Sequence, residues 1–352
     1  MKENLLLIFG GKSSEHDISC MSATTVKSAV DTEKYRIITV GITKSGAWVY
    51  VPEGAELTNP SWEKGEISAV LSPDSEKKCL YLLSGDTIRE TVPVSVILPV
   101  LHGLNGEDGT VQGLFELSGI PFVGSGVLGS AVSMDKVTTK ALVSELGIRQ
   151  ARFVALRRAE LSDMQSSVLK IEEALPYPVF VKPSSAGSSM GVSKAEDRES
   201  LEKALILASQ HDARILVEEA ITGREIECAV LSKGDELLSS GVGEILSAAE
   251  FYDFDAKYHN ADSRTEVHPV LPEGVEEEVR RDAERIFRAV SAHSLSRVDF
   301  FLDKDGVVFN EINTLPGFTA ISMYPMLMKE AGLPLRDLVA ALIESAFSRE
   351  DH

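Results

Sequence analysis

A chain of 352 residues, 43 % hydrophobic and 25 % charged, has ordinary globular composition and the length of two or three domains with ample core. Its 35 basic and 54 acidic side chains leave a formal charge of −19, which argues against a general nucleic-acid binder and against docking on anionic lipid, since both need a basic face. No apolar run approaches the roughly 20 residues that span a bilayer, and the scattered Cys20, Cys79 and Cys228 form neither a disulfide framework nor a metal-ligand spacing, so a reducing cytosol is the expectation.

The first segment alternates apolar runs with helical stretches. Leu5–Phe9 reads as a buried strand that stops at Gly10-Gly11, too short for a signal-peptide core. Helical spacing from Ser19 to Val30, a second strand over Arg36–Ile42 and a third apolar run over Val94–Val100 follow. Strands alternating with helices predict a parallel sheet, and such sheets bind ligands beyond their strand C-termini. Both glycine-bearing loops, after Phe9 and after Leu101, fall at such ends. Residues 45–93 are charged and turn-rich and carry no clear pattern.

Pro121–Gly126 reads as a boundary. A helix over Ser133–Leu146, a strand over Tyr177–Lys182, a helix near Glu199–Ser209 and a strand over Arg214–Glu218 make a second α/β unit. The last third holds a strand over Glu225–Leu231, a polar, aromatic loop over Ala248–Arg264 and a helix over Val275–Val290. The strands Arg297–Asp303 and Val307–Asn313 are joined by a turn at Asp303–Gly306, and a closing helix starts at Pro334. No internal repeat is present.

The hairpin is the most informative constellation. Side chains alternate along a strand, so Arg297 shares a face with Asp299, and Glu311 with Asn313; the turn sets Asp299 opposite Glu311. Two carboxylates and an amide oxygen suit Mg²⁺ bound together with substrate phosphates. A salt-bridged sheet face, with Arg297 pairing Asp299 and Glu311, is the other reading. The glycine loop that follows, Thr314–Gly317, leaves backbone N–H groups free and favours a site.

The Ser/Gly-rich loop Lys182–Gly191 follows a strand and gathers backbone N–H groups beside a lysine, an arrangement that suits a phosphate. It lacks the Gly-Lys-Ser/Thr ending of a Walker loop. Lys136 sits in a helical segment, where a solvated lysine is the plain alternative. Lys257 lies in the aromatic-acidic stretch Phe251–Tyr258, which has the character of a lid or binding loop. Glu15 falls just before the first helix, where the helix N-terminus favours a carboxylate. His102 and Glu107 share the second glycine loop, His102–Gly109, and a structural histidine there competes with a catalytic one.

Together these segments resemble, over essentially the whole chain, the D-alanine–D-alanine ligases of the ATP-grasp carboxylate–amine ligase family. The segments that carry the resemblance are Gly10–Glu15, His102–Gly109 with Val111-Gln112-Gly113, Ser133–Lys136, Val181-Lys182-Pro183 with Ser188, Glu218 with Glu225, Phe251–Tyr258, Arg297-Val298-Asp299, and Glu311–Gly317 with Ser322. The resemblance implies a three-domain ATP-grasp α/β architecture with a Rossmann-like parallel-sheet N-terminal domain. Residues 1–122 would bind the first substrate, residues 123–218 form the central domain, and residues 219–352 carry the metal site and lid loop. It implies ATP on Lys136, Lys182 and Lys257 through its phosphates, Glu218 near the adenine and Glu225 on the ribose. Asp299, Glu311 and Asn313 would hold Mg²⁺, with Mn²⁺ as a substitute.

It further implies that D-alanine is activated as an acyl phosphate and captured by the amine of a second D-alanine, for peptidoglycan precursor synthesis. Glu15 and His102 would meet the first substrate, Ser322 and the backbone at Met323 the second, and Arg297 with the Gly317 N–H the oxyanion. Glu15, Ser188 and Tyr258 would form a hydrogen-bonded set. Tyr258 stands where depsipeptide-forming relatives carry phenylalanine, and the apolar Met323 where D-serine-using relatives carry arginine; both favour D-alanine over D-serine or D-lactate. A catalytically silent ATP-binding module is the remaining alternative. The family commonly forms homodimers and works in the cytoplasm.

Overall fold

Five consecutive apolar residues, Leu5–Phe9, make a strand with no solvent face. β1 (Glu3–Gly10) accordingly lies inside a seven-stranded sheet in the computed structural model, which describes residues 2–187, 190–246 and 264–349. β1 runs parallel to β2 (Tyr35–Ile42) on one side and to β7 (Val96–Leu101) on the other. The register sets Gly10 beside Leu101, so the two glycine loops leave the same edge side by side. α1 starts at His16 rather than Ser19 and runs to Ala29, which puts Glu15 at the residue before the helix, with no capping hydrogen bond from its side chain.

Residues 45–93 are where periodicity was silent. They form β3 (Trp48–Val51), β4 (Ile67–Leu71), β5 (Cys79–Ser84) and β6 (Thr87–Pro93), all antiparallel, and extend the sheet past β2. β6 is an edge strand whose side chains are almost all exposed, so it carries no apolar alternation to read. Trp62, on a short 3-10 turn, covers the backbone of β2 at Gly41, where a Cβ would come within 2.3 Å of its ring.

The stretch expected as one helix over Ser133–Leu146 is two. α2 (Thr110–Ser118) leads to α3 (Val127–Met134), and α4 (Lys136–Glu145) follows after a break at Asp135. Asp135 leaves the helical region and accepts a hydrogen bond from the Thr138 N–H at 2.8 Å, the local preference of aspartate for an N-cap. A four-stranded antiparallel sheet follows, in the order β10 (Ser193–Ala195), β9 (Val179–Pro183), β11 (Arg214–Glu219), β8 (Phe153–Arg157). α5 (Met164–Ala174) and α6 (Arg198–His211) cover one face, burying Val179, Val181, Ile215 and Val217.

The third sheet is also antiparallel, ordered β14 (Arg264–Glu266), β13 (Glu236–Leu246), β12 (Arg224–Lys233), β15 (Leu295–Asp303), β16 (Gly306–Asn313). α7 (Val275–Ala289) packs on one face through Val279, Ala283 and Ile286, while α8 (Met323–Glu330) and α9 (Leu335–Phe347) pack on the other. One core joins Leu5, Phe9 and Val26 of the N-terminal sheet and α1 to Tyr324, Leu338 and Leu342, so the first and third sheets share buried apolar surface. The protein is thus α/β with three sheets, and among the described residues no helix is long and apolar enough to cross a membrane.

The segment after β7 is fastened by polar groups. The Gly124 N–H donates to Ser294 Oγ at 3.0 Å, the His293 N–H to Ser125 Oγ at 3.0 Å, and Ser345 on α9 reaches Ser294 at 2.8 Å. Burial, together with the charge of Arg349, lowers the His293 imidazole to about 4. A histidine held neutral when folded stabilises above its unfolded value near 6.5, and that contribution is lost as pH falls toward 4, because the unfolded chain takes up the proton first. The urea midpoint should therefore drop between pH 6.5 and 4.5, and a His293→Asn protein should show a smaller drop than the unaltered chain.

Candidate active site

A cavity of about 280 Å³ opens where the three sheets meet, and every predicted site residue within the described residues lines it. Ser188, Lys257 and Tyr258 lie outside the described residues. So does the polar, aromatic stretch expected at Ala248–Arg264, apart from Arg264 itself, the first residue of β14.

On the N-terminal side, the Glu15 carboxylate is wedged between two glycine loops. A Cβ on Gly103 would come 2.5 Å from its Oε2, and one on Gly187 would come 2.9 Å from the same oxygen. Gly103 has φ +70, so that backbone both requires glycine and leaves room for the acid. Glu107 accepts from the Gly103 N–H at 2.8 Å. Burial and the nearby Glu15 push the Glu107 carboxyl up to about 8.

His102 is buried, with Nδ1 2.9 Å from the Leu315 carbonyl and Nε2 3.3 Å from Ser22 Oγ. A carbonyl only accepts, so Nδ1 carries the proton; Ser22 accepts from the Phe318 N–H and gives its own hydrogen to Nε2. Burial lowers this imidazole below its ordinary value. Both ring nitrogens are therefore occupied in tying the 315–318 loop to α1, the structural side of the alternative left open above.

Alternation along the central sheet aims its polar residues into the cavity. Val179 and Val181 point to the core while Phe180 and Lys182 point out, and Glu218 stands beside Phe180 in register. Lys182 Nζ is 2.6 Å from Glu218 Oε2, and Lys140 Nζ is 2.6 Å from the other oxygen. Burial alone would raise the Glu218 carboxyl, but Lys182 and Lys140 outweigh it and hold it at about 2. Burial likewise opposes the Lys182 ammonium, yet Glu218 lifts it above the usual lysine value. Glu218, which the resemblance sets near an adenine, is here the bridge between two lysines.

Lys136 is the first residue of α4, not an interior one. Its N–H donates to the Ser184 carbonyl at 2.9 Å, and its ammonium donates to the Ala186 carbonyl at 3.0 Å and lies 3.5 Å from Glu311. Asp135 secures this helix start, accepting from Ser184 Oγ at 2.9 Å and from Arg214 at 2.6 Å. The 182–187 loop and α4 are thereby locked together around the two cavity-facing lysines.

In the third sheet Arg297 stands opposite Asn313 and Asp299 opposite Glu311, as expected, but through a bulge between Asp299 and Phe300: the turn pairs Asp303 with Gly306, and an unbroken ladder from there would set Asp299 opposite Asn310. Arg297 forks onto both Asp299 oxygens at 2.7 Å and reaches Glu227 at 3.0 Å. Those carboxylates overcome its burial and raise it well above its ordinary value. Of the alternative salt-bridged face, the Asp299 pairing is present; Arg297 also pairs with Glu227, and Glu311, whose charge acts on Arg297 as well, lies 3.5 Å from Lys136.

Asn313 Nδ2 donates to Asp299 at 3.0 Å. Among the described residues no cluster of three or more His, Cys, Asp or Glu could hold a metal. The hairpin offers two carboxylates and an amide, all hard oxygen donors, a set that suits an ion completing its shell from a triphosphate.

Beyond Gly317, Ser322 Oγ accepts from the Thr319 N–H at 3.0 Å and sits 2.9 Å from where a Gly317 Cβ would be. α8 begins at the next residue, Met323, whose sulfur packs on Gly243 of β13, and its N-terminus, which has no side-chain cap, lies at the cavity. Glu225, at the start of β12, lines the wall near Phe301 and Ile245.

Spacing passed over Lys140 and Glu227. Lys140 is four residues after Lys136 and so on the same helical face, and Glu227 is two after Glu225 on one strand face; those periodicities were the available signal.

The cavity's chemistry, a cationic wall opposite an acidic hairpin and glycine loops, accords with the comparisons. Residues 4–125 match the family model for the D-ala D-ala ligase N-terminus, and residues 142–344 that for the D-ala D-ala ligase C-terminus. The D-alanine–D-alanine ligase of Acetivibrio thermocellus is 44 % identical over 364 residues, covering 99 % of this chain and 96 % of that one. That of Ruminiclostridium cellulolyticum is 47 % identical with the same coverage. Among solved structures, the VanG D-Ala:D-Ser ligase from Enterococcus faecalis superposes with a TM-score of 0.89 at 37 % identity, covering 98 % of this chain and 100 % of that one.

Glu107 provides a test of the cavity's electrostatics. A carboxyl raised to about 8 keeps its proton in the folded state while the unfolded chain releases it near 4.5, so its contribution to stability is lost as pH rises through that window. Thermal midpoints of Glu107→Gln should decline less between pH 5.5 and 8.5 than those of the unaltered chain.

Proposed function

We propose, from the premise that the chain belongs to the D-alanine–D-alanine ligase family, a division of labour among the cavity residues. The protein is an ATP-dependent ligase that joins two D-alanines into D-alanyl-D-alanine for peptidoglycan synthesis. The observation that carries the assignment of roles is convergence: the glycine-wedged Glu15, the paired lysines, the Asp299–Glu311 hairpin and the α8 N-terminus all face one cavity.

The triphosphate of ATP lies along Lys136 and Lys182, its base against Phe180 and Glu218, and its ribose against Glu225. Asp299, Glu311 and Asn313 would hold Mg²⁺, or Mn²⁺ in its place, and such an ion would supply neutralisation of phosphate charge. Glu15 binds the ammonium of the first D-alanine and aims its carboxylate at the γ-phosphorus. An oxygen–phosphorus bond forms to the carboxylate as the bond to the β-phosphate oxygen breaks, which releases ADP and leaves an acyl phosphate.

The second D-alanine sets its carboxylate on Ser322 and on the first N–H groups of α8 at Met323. Its neutral amine attacks the activated carbonyl, and Arg297 with the Gly317 N–H takes the oxyanion charge. Collapse breaks the carbon–oxygen bond to phosphate and forms the amide, and the proton shed by the nitrogen leaves with the phosphate. A carboxylate is a poor electrophile until activated, so the site needs positioning and charge neutralisation rather than a protein nucleophile. The γ-phosphate contact of Lys257 and the bonded set of Glu15, Ser188 and Tyr258 rest on the family resemblance. His102, with both nitrogens engaged, positions the oxyanion loop.

We assign residues 1–122 to first-substrate binding, 123–218 and 219–352 to the two ATP-grasp domains, and expect a cytoplasmic homodimer. The buried free thiols of Cys20, Cys79 and Cys228 accord with a reducing compartment. The likeness to a D-Ala:D-Ser ligase makes D-serine the competing second substrate. The apolar Met323 beside Ser322 favours a methyl over a hydroxymethyl, with discrimination of about 1–3 kcal/mol expected of such a pocket.

With ATP, Mg²⁺ and D-alanine the protein should release phosphate and dipeptide in equal amounts. In competition D-alanine should exceed D-serine and D-lactate as second substrate, and a preference for either rival would overturn the reading of Met323. Glu311→Gln should lower kcat by about a hundredfold or more, the scale of losing a group that stabilises transition-state charge, while leaving the thermal midpoint within a few degrees; unchanged turnover and metal dependence would remove Glu311 from the site.

A further inference from the structure

The roles assigned above leave the buried charge behind the cavity wall, Lys140, without a task. Lys140 lies one turn beyond Lys136 on α4, is 1 % exposed, and stands behind the cavity wall rather than on it. Its ammonium is 2.6 Å from Glu218 Oε1, and the Phe153 ring lies 5.4 Å away on the strand beside Glu218. Glu218 therefore has two cations, one behind the wall and one, Lys182, in the cavity.

We propose that Lys140 is a positioning residue for ATP, holding Glu218 from behind so that Lys182 is free to turn from the carboxylate to the nucleotide's phosphates. The inference rests on Lys182 being a phosphate ligand. A carboxylate in a low-dielectric wall needs a counter-charge at all times, because an uncompensated buried charge is strongly unfavourable. With Lys182 as its single partner, Glu218 would compete with the phosphates for that ammonium. Lys140 cannot reach the cavity, so it remains on Glu218 when Lys182 leaves.

The groups facing this cluster are Lys140 from α4, Lys182 from β9, and Glu225 and Glu311, whose charges also act on Lys182 from β12 and β16. The two lysines together keep the Glu218 carboxyl ionised far below the pH at which a buried acid would take up a proton.

The test uses the full chain carrying K140M, K140R, E218Q or K140M with E218Q, assayed for dipeptide synthesis with ATP and D-alanine varied separately. K140M should raise KM for ATP by about tenfold, within the range of coupling between contacting charges, with KM for D-alanine and kcat changed by less than about twofold. Its kcat/KM for ATP should gain an acid limb that the unaltered enzyme lacks, and K140R should recover most of the loss. Adding K140M to E218Q should cost nothing further, because no carboxylate remains to be held.

An unchanged KM for ATP in K140M while E218Q raises it would overturn the inference alone. So would equal losses toward both substrates without rescue by K140R, or an additive double variant. An unchanged KM for ATP in E218Q would overturn the placement of the nucleotide beside Lys182, and the inference with it. The double variant leaves no unpaired charge behind the wall, and Lys182, on the cavity side, keeps the charges of Glu311 and Glu225. Where K140M alone does not fold, the comparison of the double variant with E218Q decides in the same way.

Discussion

Charge compensation in a confined space governs the rest of the molecule. To receive the polyphosphate, two carboxylates and ammonium proposed for it, the cavity must hold cations and anions of its own, and each must be paired before a ligand arrives. The solution is reciprocal pairing: Lys182 with Glu218, Lys136 with Glu311, Arg297 with Asp299 and Glu227. Each pair couples a group assigned to ATP or the oxyanion to one assigned to nucleotide, metal or support. Substrates and metal then exchange one partner for another rather than meeting bare charge, and the exchange involves little net desolvation.

That arrangement depends on strand alternation in two antiparallel sheets. β9 and β11 give their valines and isoleucine to the helices beneath, and Lys182 and Glu218 to the cavity. β15 and β16 do the same with Val298 and Ile312 against Arg297, Asp299, Glu311 and Asn313. The apolar half of each strand fixes its register, because a one-residue slip would bury the charges. Catalytic geometry and core packing are consequently two faces of the same strands.

Glycine loops supply what strands do not. Gly103 and Gly187 bring backbone against the Glu15 carboxylate, and Gly317 brings it against Ser322. The −19 charge of the whole chain opposes an anionic nucleotide, and the described cavity lining is itself acidic, so Lys136, Lys182 and Arg297 are local cations set among more numerous carboxyl groups.

Much of the site was legible from local pattern. The 297–299 and 311–313 spacings do face one another, with a bulge between Asp299 and Phe300 supplying the one-residue shift, and β1 is buried because it is apolar throughout. The sequence by itself determined the apolar strands β1, β2, β7, β9, β11, β12, β15 and β16 and the order of motifs that marks the family, because apolar runs, period-two alternation and glycine turns are local properties of the chain. Tertiary structure alone decided the pairing. Arg297 gained Glu227 from a neighbouring strand, Glu218 gained Lys140 from a helix 78 residues upstream, and Asp135 broke a helix that periodicity ran through. Coulombic partners are selected by distance in space and by which groups burial deprives of water, and neither quantity is written in the spacing of residues along a strand.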